Sequence, residues 1–119
     1  MEEVIVIDWH EAIQQCGDDE EFLRELLADL RTEAGTQITN ITNCMSSPPA
    51  GGNPFEPIMR SAHMLKGASA NLMCKQMRMA SLHLEEAARA GNQAAVQAAF
   101  AELQAAYQNF FGFLQSIGL

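Results

Sequence analysis

Arg60 precedes His63 by three residues and Lys66 follows it by three, with Gly67 one turn on. On a helix turning about 100° per residue, Ile58, Leu65 and Leu72 share one side, with the small residues Ser61 and Ala68 beside them. His63 then points almost directly away from that side, into water, next to Met59, Arg60, Lys66 and Gly67. A neutral imidazole carries a lone pair that can attack phosphorus. Held on a helix with its outer side open, it suits in-line attack on a phosphoryl group presented by another protein. Lys66 and Arg60 would offset charge on the transferred oxygens, and Gly67 would let a partner's backbone approach closely.

The means of drawing that phosphoryl group from ATP are missing from the sequence. There is no G-x-x-x-x-G-K-[ST] loop, no kinase-type glycine loop, and no cluster of carboxylates beside His63 to hold Mg²⁺. The donor is therefore expected on a partner, and no cofactor or metal is expected on this chain. His10 and His83 lack comparable neighbours and read as surface or half-buried structural residues. A metal site built from Cys74, His83 and a carboxylate fits no usual ligand spacing.

The elements that must position His63 are all helical. Asp8 and Glu11 match a capping box that opens a short helix ending near Cys16-Gly17. Asp18 or Asp19 caps a longer second helix with the stripe Leu23, Leu27, Leu30, Ala34, Ile38, Ile41 and Met45, and Phe22 and Leu26 lie on its edge. Ser46 to Asn53, with paired prolines and paired glycines, forms a loop. The helix carrying His63 begins around Pro54 and ends near Leu72, and the next runs from about Cys74 to Ala90 with Gly91 as its stop. Asn92 caps the last helix, whose seam is Val96, Phe100, Leu103, Tyr107, Phe110, Leu114 and Ile117. The aromatic run Phe110-Phe111-Gly112-Phe113 is placed to seal one end. The expectation is an all-α fold, an antiparallel four-helix bundle with a short additional N-terminal helix packed across one end, forming a single domain over residues 1–119. The apolar faces are broad enough for the chain to close on itself as a monomer.

Composition narrows the partners. At 119 residues and 48% hydrophobic, the chain can bury a core without disulfides or metal. A net charge of −8 disfavours nucleic acid and anionic membranes. No apolar run approaches the roughly 18 residues of a membrane span, and the N-terminus lacks the basic region of a secretory signal, so a soluble cytoplasmic protein is expected. Cys16, Cys44 and Cys74 are odd in number and widely spaced, and read as reduced, mostly buried residues. Met45 and Met77 fall on apolar seams as filler.

The segment His63-Met64-Leu65-Lys66-Gly67-Ala68-Ser69-Ala70-Asn71-Leu72 resembles the H-x-L-K-G-[SA]-S-x-x-[LI] signature of histidine-containing phosphotransfer (HPt) domains of two-component phosphorelays. The likeness extends through Gly17 to Leu23 and through Leu84 to Asn92, and so covers most of the chain. It implies that His63 accepts a phosphoryl group from a receiver-domain aspartate and passes it to another receiver, with Mg²⁺ supplied by the receiver. Lys66 would assist the phosphoryl group and Gly67 would give clearance. Met59, Phe22 and Leu26 would dock the receiver's first helix together with Arg60, although ordinary packing is an equal reading of Phe22 and Leu26. A cytoplasmic site follows, with the nucleus added in a eukaryote. Met73 departs from the family pattern, which usually has glycine there. Two alternatives stay open: a helical adaptor without chemistry, and the phosphoacceptor domain of a chemotaxis-type kinase, against which stands the absence of dimerisation and ATP-binding regions after Leu119.

Overall fold

The computed structural model describes residues 5–47 and 51–119. Val4, which opens the apolar run Val4 to Ile7, and Pro48 to Ala50 of the loop lie outside the described residues. Five helices follow in order: α1 (Trp9–Gln15), α2 (Glu20–Ser46), α3 (Glu56–Asn71), α4 (Lys75–Ala90) and α5 (Gln93–Ser116). No strand occurs among the described residues, and no helix there is long and apolar enough to cross a membrane.

Local chemistry sets most of the boundaries. Asp8, Asp19 and Asn92 each accept a hydrogen bond from the backbone N–H three residues on, at 3.0–3.1 Å, and so start α1, α2 and α5. Gly91 ends α4 in the left-handed conformation at φ 67°. At α3, Phe55 is the N-cap and Pro57 sits in the first turn, so the helix starts two residues later than Pro54. Met73, in the turn between α3 and α4, has φ 58°. The turn thus keeps the conformation that glycine favours although a side chain is present, at a cost of about 1–2 kcal/mol.

Helix α2 packs on α3 and α5, and α4 packs on the same two, leaving α2 opposite α4 across the core. Arg24 donates to the Ile117 carbonyl and Tyr107 to the Arg31 carbonyl, which fixes α2 and α5 as antiparallel. Helix α1 closes one end of the bundle. The Asp8 N–H donates to the Met73 carbonyl at 2.9 Å, and Trp9 meets the Phe113 ring at 5.9 Å between centroids.

The core follows the expected seams of α2 and α5, with Leu23, Leu27, Leu103, Phe110 and Leu114 fully buried, and takes in Leu84 of α4. Ile38, Met45, Tyr107 and Ile117, at the seam edges, are half-buried. On α3 the buried stripe is turned by one residue from the expected one: Ala62 and Ser69 are buried, while Ser61 and Ala68 are half-buried. The cause is α4, against which α3 packs most extensively, pulling the inward face toward itself. Only Cys74 is fully buried; Cys16 and Cys44 are half-buried, and all three are free thiols.

Candidate functional site

With Ile58, Ala62, Leu65 and Ser69 turned inward, α3 leaves His63, Arg60, Met64 and Gly67 on its outer face. The His63 side chain is 66% exposed. Its ring is nevertheless not free in solvent, because the rotation of α3 brings one edge of it onto α4. There Nδ1 lies 2.7 Å from Oε2 of Glu85, a carboxylate only 3% exposed. Lys66 Nζ donates to the other oxygen, Oε1, at 2.6 Å, and Arg89 reaches Oε2 at 3.4 Å.

Burial would push the Glu85 carboxyl up. The hydrogen bonds and charges of Lys66 and His63 outweigh that and hold it below the usual glutamate range. Glu85 is therefore ionised at neutral pH and can only accept hydrogen bonds. That fixes the tautomer of a neutral His63: Nδ1 carries the proton and donates it to Glu85, and the lone pair sits on Nε2, on the far side of the ring. The arrangement presents one nitrogen lone pair outward, with a carboxylate behind the ring that holds its other nitrogen.

The cations are not placed symmetrically about His63. Arg60 pairs with Glu56 at 2.7 Å, both exposed, and Lys66 is engaged by Glu85. Gly67 is exposed, and a Cβ added there would meet nothing within 4 Å, so only an approaching partner would demand the missing side chain. Met59, expected beside His63 on the side facing water, is half-buried against the core. Phe22 is 47% exposed, and with half-buried Leu26 it lines a groove between α2 and α3. Among the described residues the most exposed large apolar side chain is Met64, at 52%, one residue beyond His63.

Glu85 and Met64 were missed by sequence reasoning. Glu85 had a signal, since it falls among Ser81, Leu84 and Ala88 on the inward arc of α4, where an unpaired charge is costly. Met64 had one too, standing about 100° from His63 and outside the apolar arc. His83 is exposed and pairs with Glu102 at 3.0 Å, and His10 is exposed beside Gln14. Among the described residues no group of three His, Cys, Asp or Glu side chains is gathered to hold a metal ion. Burial pushes the Cys74 thiol up to about 12, which suits packing and not ligation.

A sequence model of the Hpt domain matches residues 21–112. The chain belongs to the Hpt domain family. Its function is accordingly histidine phosphotransfer in two-component phosphorelays, in which Hpt domains interact with receiver domains. The match takes in all of α3, α4 and the groove-lining start of α2, and leaves α1 outside. An X-ray structure of a rice protein described as a candidate histidine-containing phosphotransfer protein superposes with a TM-score of 0.79, covering 93% of this chain and 78% of that one at 17% identity. The two share the helical-bundle fold. No curated relative matches this Hpt domain in sequence.

Proposed function

We propose that His63 is the phosphoacceptor of this Hpt domain and that Nε2 is the reacting atom. The observation that carries the reading is the 2.7 Å contact between Nδ1 and buried Glu85, which leaves Nε2 as the outward lone pair. Nε2 attacks the phosphorus of a receiver's aspartyl phosphate; the Nε2–P bond forms as the P–O bond to aspartate breaks, and the carboxylate leaves with the electron pair. The ring becomes cationic while keeping its Nδ1 proton, and Glu85 faces that charge. Return is the same path reversed, with another receiver's aspartate carboxylate attacking phosphorus and Nε2 leaving as a neutral imidazole.

Lys66 acts from the rim. Its side chain is 29% exposed and its ammonium is bound to Glu85, so a small swing of its flexible stem would bring it to the phosphoryl oxygens. The carboxylate that faces His63, Glu85, is already engaged by three basic side chains, and we place Mg²⁺ with the receiver. Gly67 gives the receiver room, while Phe22 and Leu26 dock it with help from Arg60 and Met59 at the edges. We place the protein in the cytoplasm, and also the nucleus in a eukaryote, acting as a monomer without autokinase activity.

The test mixes the chain with receiver domains phosphorylated on aspartate and follows an acid-labile, alkali-stable phosphate on it. Labelling should be lost in His63→Gln while circular dichroism stays helical. Equal labelling of that variant would move the acceptor elsewhere. No labelling from a broad receiver panel, with the bundle folded, would leave a non-catalytic adaptor.

A further inference from the structure

The charge of this chain is divided between its helices. Residues 8–46, which span α1 and α2, hold nine acidic side chains against Arg24 and Arg31, whereas residues 56–90, spanning α3 and α4, hold five basic side chains against three acidic. The two arginines of α2 do not neutralise their own helix. Arg24 and Arg31 donate to the Ile117 and Leu119 carbonyls at the end of the chain. Among the described residues no ion pair involves an acid between Asp18 and Glu33.

That unneutralised charge coincides with the groove between α2 and α3, which has a volume of about 510 Å³. Phe22, Leu26, Asp29 and Glu33 follow one another at spacings of four, three and four, so a single stripe of α2 lines the groove, apolar at its start and acidic beyond. Across from it stands Ala68, next to Gly67 and little more than a turn from His63. A partner seated in the groove on Phe22 and Leu26 therefore faces Asp29 and Glu33 as well. It also brings an anionic aspartyl phosphate toward a protein of net charge −8.

Resting on the reading that receivers dock here, we infer that the groove selects receivers whose docking helix carries Lys or Arg three or four residues from its apolar anchors. The spacing matches the acidic residues to the partner's cations along facing helices. An uncharged or acidic docking helix would leave Asp29 and Glu33 opposed or partly desolvated without a counter-charge. Exposed pairs of this kind act chiefly on the association rate and weaken as salt screens them over about 10 Å.

The experiment compares the full chain with the double variant Asp29→Asn, Glu33→Gln. Stopped-flow binding of a labelled receiver is read at about 50 mM and about 500 mM salt, and phosphotransfer from the same receiver is followed in parallel. The variant should bind roughly fivefold more weakly at low salt, mostly through a slower association rate, and converge with the parent at high salt. Glutamine at position 33 can still accept from Gln37, which donates to Glu33 at 3.0 Å, so the helix is kept. Identical affinity and salt dependence in the two proteins, with docking and phosphotransfer intact, would overturn the charge rule and leave the phosphotransfer reading standing. Equal docking by receivers lacking a basic residue on that helix would do the same. Absence of both docking and transfer would remove both.

Discussion

Glu85→Gln separates a fixed nucleophile from a histidine that merely lies on a surface. Glutamine keeps the shape of Glu85 but replaces two accepting oxygens with one acceptor and one donor. Two donors converge here, His63 Nδ1 on Oε2 and Lys66 Nζ on Oε1, and an amide satisfies one of them. The ammonium has only protons to offer, so the amide oxygen turns to Lys66 and the NH₂ to the ring. His63 must then accept at Nδ1 and carry its proton on Nε2, which removes the lone pair from the outward side. The anion behind the cationic phosphorylated ring is lost as well. A hydrogen bond to a charged group contributes about 1.5–3 kcal/mol when buried. With the ring 66% exposed, solvent reduces that to about 1–1.5 kcal/mol, or roughly tenfold in transfer rate. Rapid-quench single turnovers at saturating phosphorylated receiver measure the rate, and ¹⁵N imidazole NMR reads the tautomer. The Nδ1–H form should dominate in the parent and the Nε2–H form in the variant. An Nε2–H form in the parent, or an unchanged rate in a variant that retains its helical spectrum, would refute the role of Glu85.

Lys66→Ala should lower the transfer rate roughly tenfold while the receiver Kd moves by less than about twofold; equal losses in both would make Lys66 a docking residue. Met73→Gly should be more stable than Met73→Ala by about 1 kcal/mol in urea unfolding, because both lose the same apolar contact and only alanine keeps a Cβ in the left-handed region. Equal stability would show that the turn relaxes to another conformation. In the native protein at pH 8, thiol reagents should modify Cys16 and Cys44, whereas Cys74, with its thiol raised to about 12 by burial, should react only on unfolding. Three fast-reacting thiols would contradict the burial of Cys74.

The helices were legible because their signals are local. Asp8, Asp19 and Asn92 cap within three residues, Gly91 stops α4 in place, and the seams of α2 and α5 need only a period near 3.6. Periodicity gives an apolar arc without naming the neighbour that covers it. That is why periodicity centres the α3 stripe one residue off, toward Ser61 and Ala68, and puts Met59 beside His63 on the side facing water. The Phe22 and Leu26 edge was visible in sequence, but not that Asp29 and Glu33 extend it. Glu85 lies 22 residues from His63 and meets it only because α3 and α4 run side by side. Its warning sign, an acid on an apolar arc, says that a partner exists without saying which.

Pairing with a carboxylate does not by itself distinguish His63 from its counterpart on α4. His83 also has Nδ1 at 3.0 Å from both oxygens of Glu102. The difference is what holds the carboxylate. Glu102 is 47% exposed, and among the described residues it pairs with His83 alone, so either side chain can leave for water at little cost. Glu85 is buried to 3% and gripped by Lys66 and Arg89, so it cannot follow the ring outward. It keeps the Nδ1 edge inward through attack and departure. An orientation lost to rotamer freedom has to be regained at each transfer, and a fixed one does not. On this reading the Lys66 of the motif has two tasks: it anchors the carboxylate that aims the ring, and it waits one turn away for the phosphoryl group the ring receives.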